Sequence, residues 1–373
     1  RHTRYIGDWS SDVCSSDLFA GISGSSTADV AVLSRTVAPE MDREGYDRAF
    51  TAALIASAST MANLIPPSIM AIVYGATGNV SIGGLFLAGV VPGVLIGIGL
   101  MIYSYVWGPP GFKKKRASFS QVALASKEAG MPLMIPVIIM GGILSGWFTP
   151  TEAGMIASVY VLLVLIPIYR PHHVYELPRD FMYAGLLYSL PLAAVAAASA
   201  FGWMVAYLRG PDIVSSYITS VAGTSGPMIM FSLVVLFIIV GDFIDAVPAI
   251  IIFMPIINKL TEIGNINPLH MGVVLITTLV FGLITPPYGL SLLVASKYVG
   301  VGFGRAVVRS LPLYGVFLLT IAFVVLFPEV VLYLPKLLLP ESVGCFKAPG
   351  GRDRKSTRLN SSHRCISYAV FCL

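Results

Sequence analysis

Two carboxylates three residues apart in an apolar run, Asp242 and Asp245 of GDFIDAVPAI (Gly241 to Ile250), are the residues best suited to chemistry in this chain. That spacing predicts nearly one helix face for both, and a carboxylate inside a membrane costs several kcal/mol, so it is functional by default. Cation ligation and acid chemistry are the two uses open to it. A second segment, GISGSSTADVAV (Gly21 to Val32), offers glycine and small-hydroxyl turns that leave backbone carbonyls and the hydroxyls of Ser23, Ser25, Ser26 and Thr27 available. Close helix packing through small residues is the alternative for these serines. Both segments read as tips of re-entrant hairpins, because non-helical backbone at membrane depth survives only where protein or a water-filled cavity satisfies it.

Two further segments form a pair: STMANLIPPS (Ser59 to Ser68) and TTLVFGLITPPYG (Thr277 to Gly289). Proline removes a donor and disfavours helix in the residue before it, so each span breaks near mid-depth. Unwound backbone exposes carbonyl oxygens, the hard ligands a desolvated Na+ needs, and helix ends whose partial positive charge suits a carboxylate. A plain proline kink explains one such site more easily than two symmetric ones. Glu152 also draws the eye, but Thr149, Pro150 and Glu152 of WFTPTEAG fit N-cap, N1 and N3 of a capping box. His270, after Asn267 and Pro268 at a span start, reads as an interface residue and not a proton relay.

The elements that must position these groups repeat. Pro66, Pro67 and Pro92 recur at Pro286, Pro287 and Pro312, an offset of 220 residues without a gap, and Gly21 recurs at Gly241 by the same shift. Repeated apolar halves with broken segments are how many carriers build a midplane site. The spans read as Tyr46 to Asn63 resuming after LIPPS, Gly84 to Trp107, Pro132 to Phe148, Thr151 to Tyr169, Phe181 to Leu208 and a last one at about Leu311 to Leu332. Lys113 to Arg116 after the aromatic end of the second span marks a cytoplasmic exit. Arg305 and Arg309 stand instead at the beginning of the matching last span, so the repeat is expected to be inverted.

Composition agrees with a membrane chain: 56% hydrophobic and 12% charged residues, with a mean hydropathy of +0.81. A soluble globule is excluded. The net charge of +5 is clustered and reads as a topology signal, not as a nucleic-acid surface. Residues 1–18 and the end of the 346–373 tail resemble translated sequencing-adaptor read-through and hold three of the four cysteines, which leaves only Cys345. The expected organisation is then a first inverted repeat at 19–116, a cytoplasmic loop at 117–131 and a second repeat at 132–345. By the logic of the repeat, roughly a hundred residues of the first half are expected to be missing.

The ordered set GISGSS, PEMxxxGYD, LIPPSI, WFTPTEA, GDFIDAVPAII and TPPYGLSL resembles the large, DctM-like membrane subunit of the tripartite ATP-independent periplasmic (TRAP) transporters, over about residues 19–345. The resemblance implies an all-α, multi-pass protein of the bacterial inner membrane, an inverted-repeat transporter of elevator type. It also implies Na+-coupled uptake of small organic acids such as C4-dicarboxylates or sialic acid, with no cofactor beyond the coupling ion. Its implied partners are a small membrane subunit and a periplasmic binding protein that delivers the substrate. Carried over, the Na+ ligands are Ser25, Ser26, Asn63 and Ile65 at one site, and Gly241, Asp242, Asp245, Thr285 and Pro286 at the other. Ser23, Thr60, Thr278 and Tyr288 are the corresponding substrate candidates. Asn63 departs from the family pattern, since many relatives carry glycine or proline there. Two other classes compete. An intramembrane aspartyl protease needs facing carboxylates that share a proton, whereas Asp242 and Asp245 lie on one segment; a channel fits two inverted broken units less well than alternating access does.

Overall fold

A computed structural model describes residues 25–108, 119–169 and 171–343. The adaptor-like ends, Gly21, Ser23 and the basic run Lys113 to Arg116 lie outside the described residues. Those described are helical, with no strand among them. In chain order the helices are α1 (Ser26–Thr36), α2 (Ala38–Arg43), α3 (Arg48–Thr60), α4 (Ile69–Gly78), α5 (Ile82–Trp107), α6 (Phe119–Leu144) and α7 (Pro150–Tyr169, with a π-helical turn at Val161–Leu165). They continue as α8 (Leu177–Tyr207), α9 (Gly210–Ala222), α10 (Gly226–Gly241), α11 (Ala246–Ile263), α12 (Pro268–Gly282), α13 (Leu290–Val299), α14 (Phe303–Leu326), α15 (Pro328–Val331) and α16 (Tyr333–Leu338). Four of them, α5, α7, α11 and α14, are long and apolar enough to cross a membrane. At 1.5 Å per residue, the 26 residues of α5 exceed the roughly 30 Å hydrocarbon core.

The two broken helices form the centre. Every residue from Ala49 to Thr60 of α3 is buried, as is every one from Leu269 to Gly282 of α12. Neither carries a polar face that would need water, and the small side chains of α3 (AALIASAS) let its neighbours approach closely. Both breaks fall where the proline pairs predict them: α3 tightens into a 3-10 turn at Met61–Asn63 before α4, and α12 ends at Gly282 before α13. The Pro66–Pro67 and Pro286–Pro287 peptides are both cis. Helix starts match at the repeat spacing, Arg48 with Pro268 and Ser26 with Ala246, each 220 residues apart. Packing is reciprocal too: α1 lies against α13 while α11 lies against α4, and α14 packs on both α3 and α5.

Ion pairing identifies one end of the bundle. Arg309 Nε lies 3.1 Å from Asp47 Oδ2 and the Tyr103 hydroxyl donates to the Arg309 carbonyl at 2.8 Å. The start of α14, the start of α3 and the close of α5 therefore meet there. Rings from α3 and α5 (Phe50 on Tyr103 at 5.0 Å, Tyr103 on Trp107 at 5.4 Å) stack along this end. The close of α5 and the first turns of α14, which carry Arg305, lie at this same end.

Three sequence expectations change. Residues 119–131, assigned to a loop, form the first half of α6, because only the proline pair Pro132 and Pro136 marked a start that the helix in fact runs through. The last span begins at Phe303, so Arg305 and Arg309 sit within its first turns. Asp242 and Asp245 do not share a helix: Asp242 is the C-cap of α10 and Asp245 the N-cap of α11, with the turn Phe243 and Ile244 between them.

Candidate functional site

The hairpin of α10 and α11 brings its tip onto the second proline break. Thr285 Oγ1 donates to Asp242 Oδ1 at 2.8 Å and also lies 2.9 Å from the Phe281 carbonyl in the last turn of α12. The Tyr288 amide donates to the Asp242 carbonyl at 3.2 Å. Tip and break are in direct backbone contact, for a Cβ on Gly282 would stand 2.6 Å from the Gly241 carbonyl oxygen. Only glycine allows that approach. Around the break the Ser291 amide closes on the Leu283 carbonyl at 3.0 Å and the Tyr314 hydroxyl on the Ile284 carbonyl at 2.8 Å. Thr285 is buried, Asp242 half-buried and Pro286 exposed. The Asp245 side chain is exposed and accepts from the Ala246 amide at 2.8 Å, capping α11.

The first copy is built the same way with different side chains. Ser25 holds the N-cap of α1, the position Asp245 holds on α11, and its hydroxyl lies 3.2 Å from that of Thr27. Ser26 is buried beside it. The Met61–Asn63 turn packs on α1, which brings Asn63 to the same seam. Asn63 is 4% exposed and its side-chain nitrogen has no hydrogen-bond partner. The Ser68 hydroxyl closes the break by donating to the Asn63 carbonyl at 2.5 Å and accepts from the Ala71 amide as the cap of α4. Ile65 is half-buried, with its amide bonded to the Met61 carbonyl.

Of the substrate candidates, Thr60 and Thr278 are fully buried and return their hydroxyl hydrogens to their own helices, to Ser57 and Val274 carbonyls at 2.7 and 2.8 Å. Tyr288 is half-buried at the break. Glu152 is where the capping box requires it: Thr149 Oγ1 accepts from the Glu152 amide and the Glu152 carboxylate accepts from the Thr149 amide at 2.8 Å. His270 is buried, with Nε2 2.7 Å from the Val324 carbonyl, so it ties α12 to α14.

One residue escaped the sequence reading. Asp29, in α1, is fully buried, the only carboxylate of that kind among the described residues. Its signal was present in SGSSTADV, where it lies one turn beyond Ser25 and Ser26 on the same buried stripe. With it, each copy carries a carboxylate near the start of the equivalent helix, Asp29 in α1 and Asp245 at the cap of α11.

Chemically, the arrangement joins helix ends of both signs. Carbonyl ends of α10 and α12, with the Asp242 carboxylate and the Thr285 hydroxyl, make an oxygen-rich site suited to a hard cation. The N-termini of α4 and α13 present amides suited to an anion. Among the described residues no three of His, Cys, Asp and Glu cluster as a transition-metal site would require.

A profile of the family described as "Tripartite ATP-independent periplasmic transporter, DctM component" matches residues 10–330. The chain is 36% identical over 326 residues to the C4-dicarboxylate TRAP transporter large permease protein DctM of Pseudomonas aeruginosa, covering 86% of this chain and 75% of that protein. It is 33% identical over 334 residues to the sialic acid TRAP transporter large permease protein SiaM of Vibrio cholerae, covering 88% and 77%. A third relative, the isethionate TRAP transporter permease protein DctMQ of Oleidesulfovibrio alaskensis, is 34% identical over 286 residues, 74% of this chain and 44% of that protein. With its apolar spans, its α10–α11 hairpin and its two broken helices, the chain belongs to the DctM component family of the tripartite ATP-independent periplasmic transporters, as a multi-pass inner-membrane transport subunit and not an enzyme.

Proposed function

We propose that the chain is the translocating subunit of a Na+-coupled secondary uptake system for small organic acids. The observation that carries this reading is the junction of Asp242 with Thr285, which seats an acidic hairpin tip against carbonyl ends at a helix break. A desolvated monovalent cation gains most from such a mixed carboxylate, hydroxyl and carbonyl shell. In this reading Gly241, Asp242, Asp245, Thr285 and Pro286 serve one Na+, and Ser25, Ser26, Asn63 and Ile65 a second. Ser23, Thr60, Thr278 and Tyr288 are the substrate candidates of this reading, with the helix N-termini holding the carboxylate. A periplasmic binding protein delivers that substrate and a small membrane subunit steadies the large one. The names of relatives, which include carriers of C4-dicarboxylate and sialic acid, support a carboxylate as cargo. The 220-residue spacing of equivalent helix starts and the reciprocal packing of α1 on α13 and α11 on α4 support two inverted repeats that move together as an elevator.

The test is uptake into vesicles that hold the reconstituted membrane subunits, with loaded binding protein outside. Uptake should follow an inward Na+ gradient and fail with K+. Equal uptake under both gradients overturns the coupling, and carboxylate flux without binding protein or gradient points to a channel.

A further inference from the structure

One buried side chain at the first break holds a donor with nothing to donate to. Asn63 is 4% exposed, and its Nδ2 is the only side-chain amide nitrogen among the described residues that is buried without a partner. Native interiors keep few such groups, because an N–H taken out of water without an acceptor is costly. Its surroundings share the feature. Ser59 Oγ, one turn earlier, is buried and unpartnered as well, and so are Ser34 Oγ of α1 and Ser291 Oγ of α13, the two helices that pack on α3 beside it. A helical serine can rotate its hydroxyl back onto its own helix, as Thr60 does. The two N–H bonds of an amide are fixed in its plane and need an acceptor in front of them.

Position narrows what that acceptor is. Asn63 closes the turn after α3, and Ser68 caps α4 five residues later, so the amide stands between the carbonyl end of one half-helix and the amide end of the next. The main-chain carbonyl of Asn63 is engaged by the Ser68 hydroxyl at 2.5 Å. Its side chain is therefore the part with bonding capacity to spare. No lysine or arginine is buried among the described residues, so an anion brought to this break meets neutral N–H groups and helix N-termini. Na+ cannot accept from an N–H, whereas a carboxylate oxygen can, and its charge strengthens the bond. At the matching place in the second copy, 220 residues on, stands Leu283, which offers no donor from its side chain.

We propose, on the Na+-coupled reading of this chain, that Asn63 binds the transported carboxylate through Nδ2 while its Oδ1 faces the first Na+, so that one neutral side chain joins ion and substrate. An amide with its oxygen on a cation and its N–H on an anion has its dipole aligned with both charges. Each bound ion then raises the affinity for the other, by the same factor in both directions.

Thermal midpoints of the chain, purified with its small membrane subunit, test this, since a ligand that binds the folded state raises the midpoint according to its affinity. Na+ is titrated alone, and succinate and sialic acid are titrated as carboxylate probes with and without Na+. In wild type, Na+ should raise the midpoint and tighten at least one probe. Asn63→Asp keeps an oxygen for the cation and loses the N–H donors, so the probe should weaken by about tenfold or more while Na+ alone binds at least as tightly as in wild type. Asn63→Leu removes both ends, so Na+ and probe should each weaken by about tenfold or more and lose their mutual enhancement. An amide with only a structural role would lower the ligand-free midpoint of both variants and leave their ligand affinities at wild-type values, which overturns the inference. So does wild-type probe affinity in Asn63→Asp, or Na+ stabilisation of wild type to which neither probe adds. A wild-type midpoint that Na+ does not move fails the ion-coupled reading itself, and the role of Asn63 with it.

Discussion

Thr285 Oγ1 lies 2.8 Å from Asp242 Oδ1, across 43 residues of chain, in a side-chain bond that joins the second hairpin tip to the second proline break. The same hydroxyl is within reach of the Phe281 carbonyl, so one proton has two acceptors. In the proposed Na+ site the cation takes the Asp242 carboxylate and the Thr285 oxygen together as ligands, and the Thr285 proton stays on the Phe281 carbonyl.

Thr285→Val keeps the shape and removes the hydroxyl. Hydrogen bonds to charged groups are worth about 1.5–3 kcal/mol, so the Na+ concentration for half-maximal uptake should rise by about tenfold or more, with surface expression retained. Asp242→Asn should abolish Na+ dependence. Uptake titrated against Na+ in vesicles reads both, and an unchanged half-saturation in each variant removes Asp242 and Thr285 from the cation site.

Backbone contact at the tip gives an asymmetric prediction. A Cβ on Gly282 would come within 2.6 to 2.9 Å of Gly241 backbone atoms, whereas a Cβ on Gly241 finds its nearest neighbour at an ordinary 3.5 Å. Gly282→Ala should thus cost about 1–3 kcal/mol by overpacking and lower the thermal midpoint in detergent, while Gly241→Ala stays near wild type. Equal midpoints would show that the hairpin tip shifts freely off the break.

Much of this was legible in the chain. Proline pairs mark both breaks because a missing donor and a barred helical region act locally, whatever surrounds them, and the capping box at Thr149 and Glu152 is equally local. What escaped depends on tertiary context. The separation of Asp242 from Asp245 follows from a turn that helical spacing alone does not reveal. Asp29 was hidden because one carboxylate among small residues gives no spacing to read, and its significance is its complete burial. The start of α6 was misplaced because prolines within a helix, Pro132 and Pro136, look like a boundary.

Topology is open to direct test. The Asp47 to Arg309 pair and the Tyr103 bond place the exit of α5 and the entry of α14 at one end, so Lys114 and Arg305 should share the cytoplasmic face. Cysteines at these two positions should resist a membrane-impermeant reagent added from the periplasmic side and react once the membrane is opened. Periplasmic labelling of either one reverses the assignment.

The two remaining carboxylates separate transport from folding. Asp245 caps α11 through the Ala246 amide, and asparagine is about as good an N-cap as aspartate, so Asp245→Asn removes the charge while keeping the helix start. A lost charge in the membrane field changes the work of moving the hairpin by about 2.3 kcal/mol per 100 mV, and Na+ dependence should weaken at constant expression. Glutamine likewise preserves a capping box, so Glu152→Gln should shift stability by less than about 1 kcal/mol and leave Na+ half-saturation unchanged. Titration of uptake against Na+ at equal surface expression distinguishes them. A shifted half-saturation in the Glu152 variant beside an unchanged one in the Asp245 variant would mean that Glu152, and not Asp245, belongs to the ion-coupling machinery.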